Sequence, residues 1–279
     1  MECRLWYFEG LLNDNQLTIA ESGFHGIHKR ASKNTRLYIE ASHFLAVCLL
    51  RQKKVKEAKV LFREILRELN KIQSPNTRRL LQKRILERIE EESVLAGLTG
   101  IDEGILNPER IHAQAVSLIQ KSEDDILETM AAHMPYNAGS LLRDVRNDVI
   151  LQLSEEDRKF LPAPGQVSQP LRLGRIVFNA VRRISWKTLC EQQSPIYKLW
   201  SRKMPEVYTA AYFATSVTKA FSNWKIGMPM LAAGVVTKTD WALRLASQLR
   251  LTLPTVDDTR GGRRFRKFNF VRHQSLTLI

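Results

Sequence analysis

The sequence predicts a mainly α-helical protein assembled from antiparallel hairpins. Two observations carry this reading. Apolar residues recur at steps of three and four along most of the 279 residues, the period of one helical face. Capping residues, prolines and glycines also fall where that period breaks. A third observation, a formal net charge of +14 from 43 Lys and Arg against 29 Asp and Glu, speaks to partners rather than to fold.

In chain order, Leu37, Ala41, Phe44, Leu45, Cys48 and Leu49 share one helical face. Ala58, Leu61, Phe62, Ile65, Leu66 and Leu69 share another, and the basic turn Arg51-Gln52-Lys53-Lys54 separates the two, which predicts a helical hairpin. A third helix is expected from about Thr77 to Ala96, with Leu81, Ile85, Ile89 and Ala96 inward, Pro75 ahead of it, and Gly97 and Gly100 stopping it. Asn107-Pro108-Glu109 combines a capping side chain, a proline at the first helical position and an acid near the positive end of the dipole, so a helix should start there, with Ile111, Ala115, Leu118 and Ile119 facing inward. Shorter helices are expected near Glu123–Ala132 and Ser140–Leu153. The acids Glu123-Asp124-Asp125 and Glu155-Glu156-Asp157 follow Ser122 and Ser154, as in capped helix starts.

The stretch Phe160–Gly174 holds Pro162, Pro164, Gly165 and Pro170 and reads as a linker or long loop. It divides the chain into an N-terminal helical lobe (1–159), a linker (160–174), a second helical lobe (175–256) and a basic tail (257–279). In the second lobe, helices are expected over Leu171–Glu191, from Ser194-Pro195, from Pro205-Glu206 and over Thr239–Leu251. Phe213, Val217, Ala220, Phe221 and Trp224 form a core stripe on the third of these. The tail alternates at Phe268, Asn269 and Phe270, which suits a short strand or a disordered arm.

The hairpin at residues 39–72 resembles a tetratricopeptide repeat, a unit of two helices with small and large apolar residues at set positions. Leu45, Ala46 and Leu49 match the first helix, and Ala58, Phe62 and Ile65 the second. Ala20, Phe24 and Ile27 repeat the second-helix spacing 38 residues earlier, an offset that departs from the family's 34 and calls for an enlarged loop. Ser42 stands at the family's Trp position and Asn70 at its closing Pro. The resemblance implies a protein-binding scaffold and not an enzyme.

Reaction chemistry is scarce. No GxxxxGK[ST] phosphate loop, GxSxG elbow or HExxH helix occurs. Cys3, Cys48 and Cys190 are scattered, which fits reduced thiols in the cytoplasm or nucleus and gives no zinc or dithiol pattern. His25 and His28 share a helical face, but Phe24 and Ile27 in the same segment place it at the edge of a core rather than at a metal. Arg36 and His43 have six residues between them, a spacing similar to that of the catalytic helices of HEPN-type ribonucleases. There an imidazole acts on the ribose 2′-OH and a cation steadies the phosphate. No catalytic residue, metal or cofactor is otherwise expected.

The basic residues point to binding. Arg79, Lys83, Arg84 and Arg88 lie along one helix, and Arg182 and Arg183 on the first helix of the second lobe. The tail supplies Arg260, Arg263, Arg264, Arg266, Lys267 and Arg272 among Phe265, Phe268 and Phe270, a mixture suited to phosphates and bases. The leading expectation is a helical adaptor or regulator that binds a protein partner through a groove and a basic surface. The alternative is a nucleic-acid binder, RNA before DNA, and peripheral contact with an anionic membrane fits the same charge. The longest apolar stretch, Ile226–Val236, is too short to span a bilayer and no signal peptide is evident.

Overall fold

A computed structural model describes residues 2–33, 35–160, 169–190 and 210–238. It consists of helices α1 (Glu2–Asn13), α2 (Leu17–Arg30), α3 (Arg36–Arg51), α4 (Val55–Asn70), α5 (Pro75–Leu98), α6 (Pro108–Ile119), α7 (Glu123–Ala132), α8 (Tyr136–Leu151), α9 (Glu155–Arg158), α10 (Pro170–Cys190) and α11 (Ala210–Asn223). A last helical stretch covers 229–238. The protein is mainly α; the one extended pairing among the described residues is an isolated parallel bridge between Asp102 and Gly227. Compactness divides the chain after Leu243, and every described residue lies in the first unit. The helices expected from Ser194 and over Thr239–Leu251, the start expected at Pro205, and the tail 257–279 lie outside the described residues.

The first four helices form two hairpins with the same turn. Asn15 and Lys53, 38 residues apart, both take left-handed backbone, with φ of 58° and 62°. Around them Asn15 N donates to Leu12 O and Gln16 N to Leu11 O, while Lys53 N donates to Leu50 O and Lys54 N to Leu49 O. The match continues into the second helices, where Ala20, Phe24 and Ile27 are as fully buried as Ala58, Phe62 and Ile65. The 38-residue offset between the two turns spans α2 with 14 residues, the connection 31–35 and α3 with 16 residues.

Helix α3 is buried almost all round, and its faces are divided between the two hairpins. Ile39, Ala46, Leu49 and Leu50 pack with Ala58, Phe62, Ile65 and Leu69 of α4 and with α5 and α8. Ala41, Phe44, Leu45, Val47 and Cys48 pack on Leu5, Leu12, Ala20, Phe24 and Ile27 of the first hairpin, where the Phe24 and Phe44 rings stack 5.2 Å apart. Each such buried Leu, Ile or Phe contributes about 1.5–3 kcal/mol. Arg51, expected in the turn, is instead the last, buried residue of α3; the turn proper is Gln52–Lys54.

Helix α5 begins where Ser74 accepts from Thr77 N, with Pro75 at its first position, and ends beyond Gly97. Gly97 does not stop it: an added Cβ there would meet Ala138 Cα at 2.5 Å, so the missing side chain is what lets α8 approach. Gly100, at φ +88°, marks the true end. Asn107 caps α6, Ser122 and Asp125 form a capping box on α7, and Ser154 caps α9. Helix α10 starts at Pro170, inside the stretch expected as linker, and packs on α7, α11 and α5. Its Ile176, Val177, Val181 and Ile184 join one cluster with α5–α8, with Phe213, Val217, Phe221 and Trp224 on and after α11, and with Leu231–Val236. No helix of the described residues is long and apolar enough to cross a membrane.

Candidate functional site

Three successive glutamates on α5 organise the charges. Being consecutive on a helix, Glu90, Glu91 and Glu92 point in three directions about 100° apart, so each meets a different neighbour. Glu90 pairs with Arg146 of α8 (2.5 Å) and lies 3.9 Å from Arg172 of α10. Glu91 pairs with Arg183 of α10. Glu92 is fully buried and takes both Nε and Nη2 of Arg51, at 2.6 and 2.7 Å. Arg51 Nη1 donates to Leu12 O at the end of α1, and its guanidinium lies 4.7 Å from the Trp224 ring centroid. Burial by itself pushes the Glu92 carboxyl up, but the guanidinium groups of Arg51 and Arg88 outweigh it and hold it at about 2.

A seam of further charged and polar groups runs from this network between α1, α3, α5 and α10. Glu9 of α1 is largely enclosed, and burial raises its pKa against the pull of Arg88, Arg84 and Arg183. His43 of α3 is buried and neutral: burial, then Arg88 and Arg84, lowers its pKa to about 3. Burial likewise lowers Arg88 to about 10, against the pull of Glu92. Arg88 Nη2 lies 2.8 Å from Glu92 Oε1, close enough for an ion pair but without the alignment of a hydrogen bond. Arg88 Nε and His43 Nε2 are buried polar atoms with unmet hydrogen bonds, a costly state. Arg84, one turn earlier on α5, is exposed.

The basic residues expected to bind are dispersed. Arg79 is half-buried, 3.5 Å from Asp157 and 3.7 Å over the Phe160 ring, and with Arg78 it fastens α9 to α5. Lys83 is exposed and 3.9 Å from Glu87. Arg84 is exposed one turn before Arg88, and Arg183 pairs with Glu91. Arg182 is half-buried beside Phe178, and burial lowers its pKa. Arg260, Arg263, Arg264, Arg266, Lys267 and Arg272 lie outside the described residues. Arg36 is exposed and pairs with Glu40 at 2.7 Å, two helical turns from the buried His43. His28 Nδ1 is 2.8 Å from Ser42 Oγ and stacks on Tyr38, and the described residues bring no three potential metal ligands together.

Glu9, Arg51 and Glu92 carry this site without standing out in the sequence, where a charge within an amphipathic helix looks like a solvated one. The one signal is Arg51, placed one turn after Val47 and Cys48 at the end of an otherwise apolar run. No family model, curated protein or solved structure matches the chain.

Proposed function

We propose that this chain is a non-catalytic helical adaptor that holds an acidic segment of a partner protein along the seam between α1, α3, α5 and α10. The observation that carries the reading is Arg88, whose Nε is buried without a hydrogen-bond partner while its Nη2 is ion-paired with Glu92, one turn from the exposed Arg84. A carboxylate of the partner would take the Arg88 donors, with Arg84 at the rim steering its approach. The repeated hairpins α1–α2 and α3–α4 supply the rigid wall, in keeping with the tetratricopeptide-like pattern of residues 39–72.

The test is fluorescence anisotropy with a labelled Glu/Asp-rich peptide, run beside a single-stranded RNA oligonucleotide in a salt series. Peptide binding that weakens about tenfold in Arg84→Glu supports the reading. Binding to the RNA alone, or peptide binding unaffected by Arg84→Glu, overturns it and favours the nucleic-acid alternative or another surface.

A further inference from the structure

Two positions of the repeated first helices break the pattern, and both lie in the seam. With the 38-residue offset of the two turns, Leu12 of α1 corresponds to Leu50 of α3, and both are fully buried. Leu5, also fully buried, corresponds to His43, and Glu9 corresponds to Val47, which is sealed in the core. An apolar residue meets the packing at either place, so a polar one there calls for another reason.

Glu9 stands at a junction of charges. Arg51 bonds Leu12 O, just beyond Glu9 on α1, and Glu92, one turn beyond Arg88 on α5, so the two helices are tied together just past both residues. Burial raises the Glu9 pKa; Arg88, ahead of Arg84 and Arg183, pulls it down, and Glu40 of α3 adds to the rise. On α2, Glu21 is held by Gln52 and Lys54, and His28 by Ser42. Yet among the described residues no cation lies within 4 Å of the Glu9 carboxylate and no hydrogen bond reaches it. Arg88 Nε, fully buried, likewise has no acceptor. The seam thus holds a carboxylate and a guanidinium edge that attract without touching.

Resting on the acidic-segment reading above, we propose that Glu9 is the discriminating residue of this seam: ionised, it repels the acidic segment that Arg88 and Arg84 attract; protonated, it admits that segment and donates a hydrogen bond to the incoming carboxylate. A second carboxylate beside Glu9 makes its ionised form still less favourable, so binding and proton uptake drive one another. His43, under the same arginines, is already neutral and takes no part.

The experiment is the anisotropy of a labelled Glu/Asp-rich peptide on the full chain at fixed salt, at about pH 7.5 and 5.5, where the peptide's carboxylates, with pKa values of about 4, stay ionised. Affinity should rise severalfold at the lower pH. Glu9→Gln should bind about tenfold more tightly at the higher pH and gain little at the lower. Charge gained elsewhere on the surface acts on both proteins alike, so their difference reports Glu9. Calorimetry in two buffers of different ionisation enthalpy should show proton uptake on binding, lost in Glu9→Gln. Glu9→Val, the residue the repeat places there, should lose the pH dependence too while keeping the helical circular-dichroism signal. Affinity in Glu9→Gln that is no higher and as steeply pH-dependent, with binding still weakened by Arg84→Glu, overturns this inference and leaves the acidic-segment reading standing. No peptide binding by any of these proteins overturns both.

Discussion

Arg51 grips both carboxylate oxygens of Glu92 at 2.6 and 2.7 Å, and neither side chain reaches solvent. The same guanidinium closes the end of α1 through Leu12 O and lies against Trp224, so one residue joins the hairpins to the rest of the described unit. The pair sets an order of mutational costs. Glu92→Leu strands two buried guanidinium groups, Arg51 and Arg88, and should cost about 3–5 kcal/mol. Arg51→Met should cost less, because Arg88 still neutralises Glu92. Urea denaturation of the two variants checks the order; a larger loss for Arg51→Met would contradict it.

The same groups fix the response to acid. Glu92 ionises near 4.5 in an unfolded chain and at about 2 in the folded one, so its contribution is whole above pH 4.5 and is lost as pH falls toward 2. His43 has the same sign at higher pH. Below 6.5 the unfolded chain takes up a proton that the folded chain refuses until about 3, so stability drops across that interval. Burial depresses His28 as well and adds to the slope. Thermal unfolding should therefore show stability falling steadily below pH 6.5 and more steeply below 4.5.

His43→Leu isolates one part of that slope. The repeat places Leu5 at the equivalent point of α1, fully buried and apolar, so leucine suits this position. Removing a buried nitrogen with no partner should stabilise the fold by about 1–3 kcal/mol and flatten the profile between pH 6.5 and 4.5. Denaturation midpoints at two pH values suffice; an unchanged pH slope would argue against the assignment.

The hairpin turns offer a local test. Lys53 adopts φ of 62°, where a side chain costs about 1 kcal/mol, so Lys53→Gly should recover most of that cost. Asn15→Gly should gain less, because asparagine tolerates this conformation well. Equal gains, read as shifts in the urea midpoint, would mean that the shared backbone geometry is not what sets the cost.

At the crossing of α7 and α10 the backbone leaves no room. A Cβ on Gly174 would fall 1.9 Å from Leu127 O, and Gly174→Ala should cost about 1–3 kcal/mol by forcing α10 away. A melting temperature equal to that of the unaltered protein would show the crossing to be adjustable.

The helices are legible in the sequence wherever one face is apolar and the other polar. Ala58 to Leu69 on α4, the capped starts at Asn107, Ser122 and Ser154, and the stripe from Phe213 to Trp224 all appear where the period places them. Boundaries slip where a residue serves tertiary packing. Gly97 has the sequence signature of a stop and is a contact point, and Arg51 has that of a turn and is a clasp. The seam is not legible because a buried charge is recognised by its partner. Glu92 and Arg51 lie on different helices, and no local pattern records that they meet.

The bridge between Asp102 and Gly227 ties two loops that lie far apart along the chain, with Gly227 N donating to Ile101 O and Glu103 N to Gly227 O. Hairpins such as α3–α4 close over short stretches, whereas this contact closes a far longer loop, which is slower to form. In a pulsed hydrogen-exchange refolding run the amide of Gly227 should therefore gain protection after those of Ala58 and Phe62.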